Sequence, residues 1–171
     1  ASKDYKGDDY SFDNKTPVQS DGLIFIRKDR DKKSKNHLGY FRKSHESKKI
    51  GDLGEKIVLN RILMQKQNSG DLSELEHVAS QNKGYDIQYR DKNGNLVGIE
   101  VKATKMAQFH NIHITSNEWE TAKKMGKNYH LYLVADCKNK NPKFNIIINP
   151  VDFINKGNGL LIPLDYKIEF N

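Results

Sequence analysis

At 171 residues the chain is long enough for one domain with a sizeable core, and a composition of 36% hydrophobic and 30% charged residues leaves part of it outside that core. A formal net charge of +7 and a pI near 9.3 favour a polyanionic partner, although a ribosomal or generally adhesive basic protein would share that balance. The single cysteine, Cys137, excludes a disulfide framework and zinc-finger spacing, and no apolar run approaches the ~20 residues of a membrane span.

With no signal-peptide pattern, the chain is expected to be intracellular and cytoplasmic, with no membrane partner. It opens on Ala rather than Met, which fits a processed product or a piece of a larger protein. Residues 1–50 are expected to form a polar, basic N-terminal arm, and residues 51–171 the folded domain. Leu23, Ile24, Phe25 and Ile26 could make a short strand inside the arm. From Arg27 to Lys49 basic residues dominate. That run reads either as a solvated, mobile stretch or as a phosphate-contacting arm whose Tyr40 and Phe41 stack on bases. On the second reading Lys32, Lys33, Lys35, Arg42 and Lys43, together with Lys105, would contact nucleic acid.

Residues 51–67 read as a helix, with Leu53, Ile57 and Met64 on one side and Val58, Leu59 and Ile62 extending the apolar surface. Ser69, Gly70 and Asp71 end it. Residues 75–79 are a weak strand candidate. Residues 86–90 and 96–103 read as a hairpin joined through Asn93-Gly94, a strong short-loop signal. Residues 111–115 are a further strand candidate. Thr115 to Glu118 matches a helix capping box, and the helix it starts should bury Trp119 and Ala122 and stop at Gly126. Strands over 129–135 and 144–148 follow. Asn149-Pro150 suits the start of a short helix, and residues 160–170 read as a mixed tail. This order predicts an α/β fold, a mixed β-sheet with helices packed on it.

The chemistry is expected in the hairpin. Side chains alternate along a strand, so Glu100 and Lys102 share one face, while Ile99, Val101 and Ala103 share the other. Asp86 opens the preceding strand. Two carboxylates and one ammonium can thus converge at a sheet end, where the oxygens suit Mg²⁺ and the lysine suits a phosphate or an attacking water. A plain half-exposed strand would also alternate charged and apolar residues. Glu55 projects from a largely apolar side of its helix, either because a metal or lysine is near or because it lies at the helix end. His110 and His113 point to opposite faces of any strand and share no metal. Cys137 reads as an ordinary thiol, Lys123, Lys124 and Lys127 as a solvated helix face, and Tyr129 as packing that could face the site.

Gly54-Glu55 with Val58, Gly84-Tyr85-Asp86-Ile87, the run from Ile99 to Thr104, and Asn117-Glu118-Trp119 with Ala122 resemble the domain at the C-terminus of the plant protein NO VEIN. That domain also occurs in bacterial restriction and phage-defence proteins and resembles the PD-(D/E)xK nuclease superfamily. The resemblance covers roughly residues 51–150. It implies a restriction-endonuclease-like core and a metal-dependent endonuclease that cuts DNA phosphodiester bonds in a prokaryotic restriction or defence setting. Asp86 and Glu100, with the Val101 carbonyl, would bind Mg²⁺ or Mn²⁺. Lys102 would orient the attacking water, and Glu55 would assist the metal or hold Lys102. In-line attack would leave a 5′-phosphate and a 3′-hydroxyl. The implied partner is double-stranded DNA, cut by a homodimer or by a larger restriction or defence protein. The alternative is a catalytically inactive nuclease-fold module that binds DNA or a protein partner. The family's Pro before the Asp is replaced by Tyr85.

Overall fold

The computed structural model describes residues 45–67 and 73–163. The arm over 1–44, with Lys32, Lys33, Lys35, Arg42, Lys43 and the strand expected at 23–26, lies outside the described residues, as do the break at 69–71 and the tail beyond 163. The elements are α1 (His45–Gln67), β1 (Ser73–His77), β2 (Ile87–Arg90), β3 (Leu96–Ala103), α2 (Ser116–Met125), β4 (Tyr129–Ala135), β5 (Lys143–Ile148) and α3 (Pro150–Asn155). Short 3₁₀ turns follow β1 and α2.

The five strands form one mixed sheet in sequence order. β1, β2 and β3 pair antiparallel, β3 and β4 parallel, and β4 and β5 antiparallel. α1 covers one face, packing Ile57, Val58 and Ile62 on Ile87, Ile99, Val101 and Val134. The other face carries two clusters. Leu131, Leu133 and Ile147 pack under Phe109, Ile112, Ile114 and Phe153, and Tyr85 and Tyr129 pack with Ala122, Met125 and Val151. The mixed sheet between helices is the α/β arrangement expected from the element order. Among the described residues no helix is long and apolar enough to cross a membrane.

Four local readings change. α1 begins at His45 rather than Gly51, because Ile50, one heptad before Ile57, is itself buried in the core. A glycine inside a helix costs about 1 kcal/mol relative to alanine, less than the about 1.5–3 kcal/mol gained by fully burying an isoleucine. Met64, assigned to the apolar side, is 42% exposed. Residues 111–115 make no strand. Ile112 and Ile114 instead pack down on the sheet face against the Leu131 cluster. Trp119 is only half-buried; Ala122 is the residue α2 buries.

The hairpin registers Ile87 opposite Ile99 and Arg90 opposite Leu96. Its loop is built on Asp91, whose carboxylate accepts the Asn93 and Asn95 N–H groups, with Gly94 at φ +79. The α2 capping box is present with Thr115 as N-cap and Glu118 at the third position, and Gly126 ends the helix. Asn149 caps α3 ahead of Pro150.

Candidate active site

The hairpin and α2 bring the site together. Asp86 lies just before β2, and its backbone is held on both sides: its N–H donates to the Ile99 carbonyl (2.9 Å), and its carbonyl accepts the Val78 N–H (2.7 Å). Its carboxylate accepts the Val101 N–H at 2.9 Å, replacing a ladder partner where β2 has not yet begun. A strand residue directs its N–H and C=O to the same edge, so the Val101 carbonyl faces the Asp86 side of β3.

Two glycines set the approach of the helices. A Cβ on Gly54 would meet the Cβ of Ala103, so α1 can lie against the end of β3 only with glycine there. Gly84 has φ +82, and a Cβ on it would meet Thr121 and the Asn117 carbonyl of α2. Tyr129, buried, donates from its hydroxyl to the Gly84 carbonyl at 2.9 Å, and the Asn117 amide donates to the Asn82 carbonyl at 3.1 Å. Together these contacts fix the turn before Asp86 against the start of α2.

Lys102 is the centre of the cluster. Its ammonium lies 2.6 Å from Glu100 Oε1 and 2.9 Å from Glu118 Oε2. The same Glu118 oxygen accepts the Thr115 N–H at 2.9 Å. Glu100 is 3% exposed. Burial, with the charges of Asp86 and Glu118 adding to it, outweighs Lys102 and pushes the Glu100 carboxyl up to about 9. Burial likewise lifts Asp86 to about 6, against the Val101 N–H and Lys102, with the charge of Glu55 adding to the rise. Burial opposes the Lys102 charge, but Glu100 and Glu118 outweigh it and hold the ammonium above its usual value. Glu118 is also raised by burial. Lys102, the Thr115 N–H and a hydrogen bond from Glu100 bring it below the usual carboxylate range. Tyr129 is raised by burial first and then by the three neighbouring carboxylates, so its hydroxyl stays a donor.

Three of the four expected site residues, Asp86, Glu100 and Lys102, therefore converge. Glu55 does not hold Lys102. It projects from α1 at the sheet end, its charge felt by Asp86, with its Oε2 2.6 Å from Nε2 of His77 at the end of β1. Lys105 is exposed and its ammonium pairs with Glu46 at 2.9 Å. Sequence reasoning missed Glu118 and His77 as neighbours of these groups. The signal for Glu118 is present in the sequence, since a capping-box glutamate points back toward the start of its helix and Glu118 also stands in the Asn117-Glu118-Trp119 motif. His77 carried no signal.

The donor set can be weighed against a divalent cation. Among the described residues no three His, Cys, Asp or Glu side chains form a metal-holding group. Asp86 and Glu100 supply two carboxylates, and the Val101 carbonyl faces the same edge. Such a set could supply part of a shell for Mg²⁺, which keeps several waters and takes substrate phosphate oxygens. Fully ionised, Asp86, Glu100, Glu118 and Lys102 carry three negative charges and one positive, a net of two negative in a largely buried space. Protonating Glu100 relieves part of that excess, and a divalent cation would balance all of it.

The family model "Protein NO VEIN, C-terminal" matches residues 54–147, more than half of the chain, and spans every residue of this cluster. The chain belongs to the NO VEIN C-terminal family. Comparison with curated proteins and with solved structures found no match. In this member the NO VEIN C-terminal segment runs from Gly54, where α1 meets β3, to Ile147 in the last strand, so it takes in the sheet and α2 but leaves the start of α1 and α3 outside.

Proposed function

We propose that this chain is a metal-dependent endonuclease of the PD-(D/E)xK type that hydrolyses DNA phosphodiester bonds, in a restriction or phage-defence setting. The observation that carries this reading is the buried Asp86, Glu100, Lys102 and Glu118 cluster with its uncompensated negative charge. Asp86, Glu100 and the Val101 carbonyl would hold Mg²⁺ or Mn²⁺. When bound, the ion supplies Lewis-acid polarisation of the phosphate and lowers the pKa of water. Lys102 donates a hydrogen bond to the attacking water and offsets charge developing on the phosphate, provided one of its two carboxylate partners yields. Glu118 and the cap of α2 keep the ammonium in place. Glu55 and His77 line the edge beside Asp86. In-line attack would leave a 5′-phosphate and a 3′-hydroxyl, and a double-strand break would take a second copy or a second site.

One observation favours a second reading, an inactive nuclease-fold module that binds DNA or a protein. Lys102 is already engaged by two carboxylates, so the cluster is closed on itself without an ion.

The deciding experiment incubates plasmid DNA with the purified protein in Mg²⁺, Mn²⁺ or EDTA, beside Glu100→Ala. Metal-dependent cutting lost in the variant supports the nuclease. DNA binding without turnover in any metal supports the second reading.

A further inference from the structure

We propose that the concavity between the loops following β3 and β4 is a subsite for a non-scissile backbone phosphate of duplex DNA, held by Lys105, Lys138 and Lys140, two of which, Lys105 and Lys138, pair with the Glu46 carboxylate in the free protein. This rests on the reading of DNA as substrate and goes beyond it by naming where the flanking backbone is held.

The concavity is about 460 Å³ and is lined by those three lysines with Asp136 and Asn139. Its walls are fixed by backbone hydrogen bonds between the two loops. Asp136 N–H donates to the Met106 carbonyl (2.8 Å), Cys137 N–H to the Thr104 carbonyl (3.1 Å) and Thr104 N–H to the Val134 carbonyl (2.9 Å). Cys137 is fully buried beneath them. The lysines therefore stand on an ordered base. The acid within the concavity, Asp136, is countered by Lys143 at 3.1 Å.

One oxygen marks the anion position. Glu46 Oε1 lies 2.9 Å from the Lys105 ammonium and 3.9 Å from that of Lys138. The hydrogen bond to Lys105, then the charges of Lys105 and Lys138, hold Glu46 below the usual carboxylate range. Glu46 is in the first turn of α1 and mostly exposed. An exposed pair of this kind is weak and easily exchanged. A phosphate, with more oxygens to share among three ammonium groups, replaces it readily.

The location fits the same DNA strand. β3 and β4 run parallel, and the concavity lies beyond their carboxyl ends, where open α/β sheets take ligands. Three residues of chain span at most about 11 Å, so Lys105 is within reach of a phosphate close along the backbone from one at Lys102.

The test is binding of a fluorescein-labelled DNA duplex by fluorescence anisotropy in EDTA, over a salt series, with melting curves to confirm that each variant is folded. Lys138→Ala and Lys140→Ala should each weaken binding several-fold, equally across sequences, and reduce the salt slope by about 1. Glu46→Gln should tighten binding. Glu120→Gln makes the same charge change on α2, where Glu120 pairs with Lys123, and should alter affinity much less. The proposal is overturned if Glu46→Gln behaves like Glu120→Gln, or if the lysine variants keep the wild-type salt slope. Absence of cleavage alongside the expected binding changes would overturn the nuclease chemistry and leave the subsite standing.

Discussion

Lys102 and Glu118 meet at 2.9 Å between β3 and α2, and the oxygen that receives the ammonium is the one that caps the helix through the Thr115 N–H. One carboxylate thus closes the first turn of α2 and locates the lysine. The two roles can be separated by substitution. Glu118→Ala removes both and should cost about 2–5 kcal/mol, the sum of a lost cap and a lost charge-assisted hydrogen bond. Glu118→Gln keeps a capping side chain but not the charge, so it should lose less stability while still loosening Lys102. Urea melts of both variants, read beside their cleavage rates, check this. Equal destabilisation by the two changes would remove the cap from the account.

Glu100→Gln should fold about as well as the wild type, because the Glu100 carboxyl, pushed up to about 9, is already neutral near pH 7 and the amide has the same shape. On the nuclease reading the same change removes a metal-binding carboxylate, and cleavage in Mg²⁺ should fall about 100-fold or more, as should that of Lys102→Ala. A Glu100→Gln protein that is folded and cuts at the wild-type rate would exclude Glu100 from the chemistry.

Stability in EDTA should decline as pH rises. Glu100 binds its proton more tightly folded than unfolded, so its contribution is complete below its ordinary value of 4.5 and is lost as pH climbs through about 9. Asp86 adds a smaller loss between 3.8 and about 6. Each such group contributes a slope of at most about 1.4 kcal/mol per pH unit. Glu118, lowered in the folded state, works in the opposite sense and is lost in acid. Mg²⁺ or Mn²⁺ should offset the decline, stabilising more at higher pH because the cation needs ionised carboxylates. Denaturant melts from about pH 5 to pH 9, with and without the ion, measure both effects. A flat profile in EDTA would show that burial of Glu100 does not raise its proton affinity.

Gly54→Ala should destabilise by about 1–3 kcal/mol, since the new methyl meets Ala103 and α1 must move off the sheet. Ala103→Gly in the same chain should restore much of the loss. A double-mutant cycle with no coupling between the two sites would contradict the close approach.

Much of this could be read from the chain. The two-residue period of β3 placed Glu100 and Lys102 on one face, the Asn93-Gly94 loop joined β2 to β3, and the capping box located the start of α2. What escaped was tertiary. Whether Trp119 is covered depends on what α2 packs against, and residues 111–115 have the composition of a strand but pack over the sheet face instead of pairing as one. The Glu55–His77 pair and the bridge from Glu46 to Lys105 join residues far apart in the chain and leave no local pattern. Glu118 lies between these cases, since its local role was visible and its long-range one was not.

Because β3 and β4 are parallel, the chain must return along α2 before β4 can pair, and the first turn of α2 meets the end of β3 through Glu118 and Lys102. Asp86, Glu100, Lys102 and Glu118 consequently all fall within residues 86–118. A recombination event with break points either side of that stretch would transfer the ionisable cluster as a block, while Gly54, Gly84 and Tyr129, which fix its approach to the helices, would have to come from the host. The ancestry of the cluster and the ancestry of the surrounding scaffold need not be the same.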